Sequence, residues 1–250
     1  MNSTPARQAL PGALQALGLD LSPQACVQLL AHLDLIAKWS RVYNLTAVRD
    51  PAEMFTHHLL DSLAAVSPLV RHLHGVAALA PPQAEPSSEL PVRRGFHVLD
   101  VGAGAGLPGV SLAIALPDVI AHAPAKVTAS FAVQVTCVDA VAKKAGFIRQ
   151  VAAELALKNL QALHGRIESL ELSPVDVITC RAFASLADIV QLTGRHLAPG
   201  GVWMALKGVV PHDEIQALPD HIEVFHVEPL QVPHLDAQRC LVWMRRREEF

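Results

Sequence analysis

The sequence contains few cysteines and few aromatic residues. Aromatic residues make up 4% of the 250 residues, and the four cysteines lie far apart in the chain. They form no Cys-x-x-Cys pair and have no nearby histidine at metal-ligand spacing, which argues against a zinc site and a disulfide framework. We therefore expect reduced thiols and no bound metal. The cysteines are Cys26, Cys137, Cys180 and Cys240.

The sequence also lacks an excess of basic residues. Charged residues make up 17% of the chain and the formal net charge is −3, so the overall basic character of many nucleic-acid-binding proteins is absent. A polyanionic partner would therefore have to meet a local basic patch. The cations considered for such a patch are Arg41, Lys143, Lys144, Arg149 and Lys207.

Long hydrophobic runs are missing as well. No run approaches the roughly 18 to 20 apolar residues that span a bilayer, and the first residues lack the apolar centre of a signal peptide. We therefore expect a cytoplasmic protein without a membrane segment. The hydrophobic content of 51% is sufficient for the core of one large domain.

The first part of the chain, residues 1–74, is predicted to be a helical cap. Ser22 followed by Pro23 is typical of a helix start, and apolar residues then recur at helical spacing until about Trp39. Asp50 before a proline predicts a second capped helix. We expect this cap to pack with the rest of the chain as one compact unit.

A proline-rich stretch over residues 75–95 predicts a loop or linker. In residues 96–250, apolar strand-like runs then alternate with amphipathic segments, which favours a doubly wound α/β domain with a mostly parallel sheet. HIEVFHVEP and RCLVWMRR are separated by a short connection, so they are predicted to form an antiparallel pair at the sheet edge. Residues 117–130 are predicted to be a second long loop.

A glycine-rich turn follows the first predicted strand of this domain, in VLDVGAGAGLPGVSLA. Its glycines fit two ligand-binding patterns, GxGxxG for dinucleotides and GxGxG for S-adenosylmethionine, and their spacing alone does not choose between them. Asp100 ends the strand, and its charge would oppose a pyrophosphate but suit the cationic S-adenosylmethionine. The two sets are Gly104, Gly106 and Gly109, and Gly102, Gly104 and Gly106.

Asp139 ends the next predicted strand and is the second acidic residue at this edge of the sheet. A carboxylate there can accept hydrogen bonds from the ribose hydroxyls of either nucleotide class. The residues alone therefore leave an NAD(P)-dependent oxidoreductase open beside an S-adenosylmethionine-dependent enzyme.

Six blocks of sequence resemble one known family, the bacterial 16S ribosomal RNA guanine-N7 methyltransferases, called RsmG or GidB. The blocks stand in family order and cover nearly the whole chain outside the two predicted loops. They are KWSRVYNLTAVRDPAEMFTHHLLDSLA (38–64), VLDVGAGAGLPGVSLAI (98–114), KKAGFIRQVAAEL (143–155), GRIE (165–168), VITCRAFASL (177–186) and ALKG (205–208).

The resemblance implies a fold and an activity. The fold would be a class I S-adenosylmethionine-dependent methyltransferase, a Rossmann-like, mostly parallel sheet with an antiparallel C-terminal edge and an N-terminal helical cap. The implied reaction transfers the methyl group of S-adenosyl-L-methionine to N7 of one guanine of 16S rRNA, guanine 527. The product would be S-adenosyl-L-homocysteine, and we expect the RNA to be presented within a small ribosomal subunit particle.

The resemblance also implies cofactor contacts. They fall on Gly102, Leu107, Ile167, Glu168 and Arg181, and the turn and strand-end patterns add Gly104 and Asp139. No catalytic acid or base is expected, because guanine N7 carries a free lone pair and methylation there removes no proton. For Arg181, three roles remain open: a contact to the cofactor carboxylate, a contact to an RNA phosphate, or a salt bridge at a strand end. A non-catalytic rRNA-binding or assembly factor also stays open.

Overall fold

The computed structural model describes residues 4–79, 95–122 and 131–247. Nine α-helices lie in the described ranges: α1 Thr4–Ala16, α2 Pro23–Tyr43, α3 Pro51–Met54, α4 Asp61–Leu63, α5 Val66–Leu79, α6 Gly109–Ala121, α7 Ala142–Glu154, α8 Leu186–Thr193 and α9 His212–Gln216. A π-helical turn joins α3 to α4, and two short 3-10 helices are also present. These are Phe55–Leu60, Ile167–Ser169 and Gly194–His196.

Seven strands form one twisted sheet in the order β3-β2-β1-β4-β5-β7-β6. β1 to β5 run parallel, and β7 pairs antiparallel with both β5 and β6. The predicted mostly parallel sheet with an antiparallel C-terminal edge is therefore confirmed. The strands are β1 Gly95–Val101, β2 Ala132–Asp139, β3 Leu160–His164, β4 Val175–Arg181, β5 Leu197–Lys207, β6 Ile222–Leu230 and β7 Arg239–Arg246.

The strand order places a crevice at the centre of the sheet. The chain builds outward from β1 through β2 to β3, then crosses back to β4 on the other side of β1. Ligands of open α/β sheets bind beyond the carboxyl ends of the strands at such a reversal, because the two flanking connections diverge there. The glycine turn after β1 and the end of β4 both lie at this point.

The cap helices begin at the predicted residues. The Ser22 side chain accepts a hydrogen bond from the Ala25 backbone N–H, and Asp50 Oδ1 accepts from the backbone N–H groups of Ala52 and Glu53. These side chains satisfy N–H groups that have no partner within the first turn. The first of these helices runs one turn beyond the predicted end near Trp39.

Two predicted loops are wrong where the structure describes them. Residues 75–79 belong to α5 and Gly95 begins β1, and the intervening residues 80–94 lie outside the described ranges. Residues 117–121 belong to α6, and 123–130 again lie outside. Pro117 is tolerated inside α6 because the carbonyl of Ala113, which its missing N–H would serve, accepts from Asn159 Nδ2 at 2.9 Å.

The cap and the sheet domain share one hydrophobic core. Leu59 and Leu63 of the cap belong to the same buried cluster as Val110 of α6 and Val135 of β2. The cap and the sheet are therefore in direct hydrophobic contact. Within the described ranges, no helix is both long enough and apolar enough to cross a membrane.

His32 of α2 connects the cap to the glycine turn. Its Nε2 lies 2.9 Å from the Ala105 carbonyl, and its ring stacks on Phe147 with centroids 6.2 Å apart. The side chain is fully buried, and burial lowers its pKa to about 4 from an ordinary 6.5, against the opposing effect of the Ala105 carbonyl. The folded protein therefore holds a neutral imidazole that donates Nε2–H to the turn.

This histidine predicts a pH-dependent stability. Because its folded pKa is lowered, the unfolded chain binds the proton first, so stability is lost as the pH falls from 6.5 toward 4. We expect the stability advantage of the wild type over H32Q to shrink by about 2 kcal/mol between roughly pH 7.5 and pH 5. Urea unfolding of both proteins at the two pH values measures this change.

The contributions of all other titrating groups cancel in the difference between the unfolding free energies of wild type and H32Q, because both proteins contain those groups. The control is H122Q, at an exposed histidine that ends α6. An advantage over H32Q that stays constant between the two pH values would contradict a neutral buried His32.

Candidate functional site

The glycine turn after β1 depends on backbone conformations that favour glycine. Gly102, Gly104 and Gly106 have φ angles of +70°, +58° and +78°, in the left-handed region. A Cβ on Gly102 would overlap Cδ2 of Phe183, so that ring packs directly on the glycine. The backbone N–H groups of Gly102 and Ala103 both donate to the Val138 carbonyl, which anchors the turn to β2.

Asp139 supports this turn from the end of β2. One carboxylate oxygen accepts from the Gly104 N–H at 2.9 Å and the other from the Val141 N–H at 2.8 Å. The side chain is buried, and it is not among the residues that line the adjacent cavity. Its role in binding ribose stays a prediction, while its role in holding the turn is visible.

Asp100 lies behind the turn and not beside the ligand space. It is fully buried, and its Oδ2 accepts from the Gly109 N–H at 2.8 Å. Burial raises its pKa to about 7, so near neutral pH the group is not a fixed negative charge. The use of the Asp100 charge to choose between ligands is therefore wrong, because this carboxyl holds the start of α6.

A cavity of about 560 Å³ opens at the carboxyl ends of the central strands. Its walls come from the glycine turn, the ends of β4 and β5, the start of β7 and the cap. The predicted residues Gly102, Gly104, Leu107 and Arg181 line it. The other lining residues are Leu45, Thr46, His57, His58, Asp61, Ala103, Ala105, Ala182, Leu206, Lys207, Gly208 and Arg239.

Ile167 and Glu168, the other two predicted contacts, are not among these lining residues. Ile167 is 3% exposed and packs into the core beneath β4 and β5. Glu168 is exposed, with its carboxylate 3.7 Å from the Arg166 guanidinium. Their turn starts beside Asp139, whose carbonyl accepts from the Gly165 N–H. Their contact with the cofactor stays a prediction.

Arg181 lies at the end of β4 and is tied to the cap. Its Nη1 donates to the His57 carbonyl at 2.7 Å and to Asp61 Oδ2 at 3.0 Å. The salt bridge considered as one role for Arg181 is therefore present. The same side chain also lines the cavity, which leaves a ligand contact compatible with this pairing.

Asp61 joins two arginines across the cavity wall, and the sequence reasoning assigned it no role. It is 5% exposed, and its second oxygen, Oδ1, accepts from Arg239 Nε at 2.9 Å. A buried carboxylate requires such partners, because an unpaired charge in this environment is costly. The resembling block 38–64 contains Asp61, but nothing in the sequence connected it to Arg239.

His58 lies beside this group on the cap. Its Nε2 is 2.8 Å from Thr46 Oγ1, which also accepts from the Val48 N–H. Burial, together with the positive charge of Arg181, lowers the pKa of His58 to about 4. The imidazole is therefore neutral at physiological pH.

One cation of the predicted basic patch, Lys207, is paired within the fold. Lys207 Nζ donates to both carboxylate oxygens of Glu214, at 2.8 and 3.1 Å, and to the Ala184 carbonyl. This lysine is therefore committed within the fold. Lys143 lies 5.3 Å from the centre of the Tyr43 ring, at the exposed end of α2.

Comparison with known proteins agrees with this architecture. A family model described as rRNA small subunit methyltransferase G matches residues 25–77 and 86–242. The chain is 55% identical to the ribosomal RNA small subunit methyltransferase G of Methylibium petroleiphilum, covering 96% of this chain and 94% of that protein. The protein of the same name from an Acidovorax species is 51% identical, covering 98% and 97%.

One of the solved structures matched to this chain is a SAM-dependent methyltransferase from Aquifex aeolicus. It has a TM-score of 0.47 and 16% sequence identity, and the alignment covers 78% of this chain and 98% of that one. The relatives of over 50% identity are the stronger finding, since they align with this chain almost end to end. With the family model matching most of its length, the chain belongs to the rRNA small subunit methyltransferase G family.

Proposed function

We propose that the protein transfers the methyl group of S-adenosyl-L-methionine to N7 of guanine 527 in 16S rRNA. Membership of the rRNA small subunit methyltransferase G family is the observation that carries this proposal. The site supports it because a glycine turn with three left-handed residues borders the cavity at the reversal point of the sheet.

The described residues suit the proposed cofactor. The cavity volume of about 560 Å³ falls in the range of small-molecule sites. Gly102, Gly104 and Leu107 would hold the amino-acid part and the sugar from the turn, and Arg181 would contact the carboxylate. Asp139, Ile167 and Glu168 complete the proposed set on the nucleoside side. S-adenosylmethionine, when bound, supplies an electrophilic methyl group and leaves as S-adenosylhomocysteine.

The charged groups of the cavity favour a reaction without a general base. Both oxygens of Asp61 are occupied by arginines, and His58 is a neutral imidazole bonded to Thr46. The two ion pairs of Asp61 and the lowered pKa of His58 make both groups weak acceptors for a proton from a substrate amine. Guanine N7 needs no proton removed, so these residues only have to fix the alignment of the reacting atoms.

The proposed partner is 16S rRNA within a small ribosomal subunit particle. With a net charge of −3 and Lys207 paired to Glu214, the protein has a weak overall electrostatic attraction for RNA. The shape of an assembled particle would then supply the remaining affinity. Family membership contradicts the alternative of an NAD(P)-dependent oxidoreductase, and a methylation assay tests the alternative of a non-catalytic factor.

The proposed cofactor site predicts the effect of a substitution at Gly102. In G102L the new side chain would overlap Phe183 and strain the left-handed backbone, at a combined cost of about 3 kcal/mol. We expect binding of S-adenosylhomocysteine to weaken by about 100-fold or more, measured by titration calorimetry.

The matched control is G146A, inside α7, where an added Cβ meets nothing within 4 Å. It should bind S-adenosylhomocysteine like the wild type, and circular dichroism checks that both variants are folded. A folded G102L with wild-type affinity would show that the turn does not hold the cofactor.

The proposed reaction also predicts that no general base is required. His57 lines the cavity and is the remaining imidazole there that could serve as one. If N7 is the acceptor, H57Q should keep its single-turnover rate within about threefold of wild type, whereas loss of a true general base costs roughly 100-fold or more.

The pH profile provides the second measurement for H57Q. Its shape should match that of the wild type, so any inflection near neutral pH that persists in H57Q belongs to another group, such as Asp100. The position of the methyl group is read from nuclease-digested 16S rRNA. A 100-fold loss of rate, with a wild-type inflection that disappears in H57Q, would refute the mechanism.

A further inference from the structure

Arg239 occupies the cavity wall formed by the start of β7. Its Nε donates to Asp61 at 2.9 Å and its Nη1 donates to the Gln238 carbonyl at 2.8 Å. In the described part of the chain, its Nη2 has no hydrogen-bond partner. Arg239 lines the same cavity as Gly102 and Leu107, so its side chain is within reach of a molecule bound there.

The position of this guanidinium is fixed by its surroundings. Asp61 is buried and accepts from Nε of Arg239, while Arg181 donates to the other oxygen of the same carboxylate. Arg239 itself is about one-fifth exposed, so it lies at the inner wall and not on an open surface. A guanidinium held in this way can direct its Nη2 at a bound molecule.

Asp61 partly compensates the positive charge that Arg239 presents to a bound molecule. Two arginines share one carboxylate, which leaves a net charge of about +1 in the group. A phosphate placed against Arg239 would also meet the negative charge of Asp61 at short range. A carbonyl oxygen accepts the same hydrogen bond without this repulsion.

Guanine presents such a carbonyl oxygen next to its methylated atom. Its N7 and O6 lie side by side on one edge, and both are acceptors. When N7 points at the reacting methyl group, O6 is therefore directed at the same region of the cavity. Adenine has an amino donor in place of O6, which would oppose an arginine N–H.

We propose that Arg239, positioned by Asp61, is a specificity-determining residue that donates from Nη2 to O6 of the target guanine. The inference rests on the proposed function, since it takes a guanine methylated at N7 as the substrate. It adds a residue that selects guanine over adenine, and it assigns Asp61 the role of positioning that residue.

The experiment is a double-mutant cycle that combines a substitution of Arg239 with a substitution of the target base. Small-subunit particles are reconstituted with 16S rRNA carrying guanosine or 2-aminopurine riboside at the target position. The latter keeps N7 and the 2-amino group but has no O6. Full-length wild type and R239A are assayed on both particles, and the ratio of their kcat/KM values is compared between the two bases.

We expect R239A to lose about 10- to 100-fold in kcat/KM on guanosine and little on 2-aminopurine, because only guanosine offers the acceptor. R239Q, which keeps a neutral N–H donor, should recover part of the loss. Binding of S-adenosylhomocysteine should stay within about twofold of wild type in both variants. R71A, at an exposed arginine paired with Glu228 on the surface, is the matched control.

Three results would overturn the inference. One is an equal loss of kcat/KM on both bases, together with a slope of log affinity against log salt concentration that is smaller by about one. This result would indicate a phosphate contact. The second is loss of S-adenosylhomocysteine binding in a folded R239A, which indicates a cofactor contact. The third is an unchanged kcat/KM on guanosine. Absence of any methylation by the wild type would instead refute the proposed function.

Discussion

The structure depends on two buried carboxyl groups that hold the backbone of one turn. Asp100 accepts from the Gly109 N–H and Asp139 accepts from the Gly104 N–H, so buried carboxyl groups hold the middle and the end of the turn after β1. Glycine makes the left-handed path possible, but it does not by itself choose one conformation. The hydrogen bonds to the two carboxyl groups select one conformation of the turn, which forms one wall of the cavity.

The cap closes the cavity through contacts of a different kind. His32 donates to the turn at Ala105, and Asp61 joins the arginines that end β4 and start β7. The same helices that bury the hydrophobic core therefore also place polar groups at the site. Because His57 and Asp61 of the cap hold the guanidinium of Arg181, the packing of the cap contributes to the geometry of the cavity.

The sequence predicted the features that are local and failed where distant residues meet. Strand runs, the caps at Ser22 and Asp50 and the glycine turn follow from patterns within a few residues. Pro117 suggested a loop because the sequence does not show that Asn159 satisfies the carbonyl exposed by that proline. Partners that are distant in the chain therefore decide whether a proline ends a helix.

The candidate site shows the same limit. Gly102, Gly104, Leu107 and Arg181 were found because they belong to short blocks. Asp100 was misjudged because a sequence gives the charge of a residue but not its direction, and here the carboxyl points into the core. The partners of Arg239 and Lys207 could not be predicted, since Asp61 is far away in the chain and the pairing of Lys207 with Glu214 depends on how β5 meets α9.

The paired cations also bear on how the proposed enzyme would distinguish one guanine among many. Arg181 and Arg239 share Asp61, and Lys207 is paired with Glu214, so these groups leave a net charge of only about +1 for a phosphate backbone. Non-specific affinity for RNA grows with the number of free cations that replace counterions. A site whose cations are mostly paired with its own carboxylates therefore has a lower non-specific affinity for RNA. Selectivity must then come from shape and from contacts that only the correct base can make.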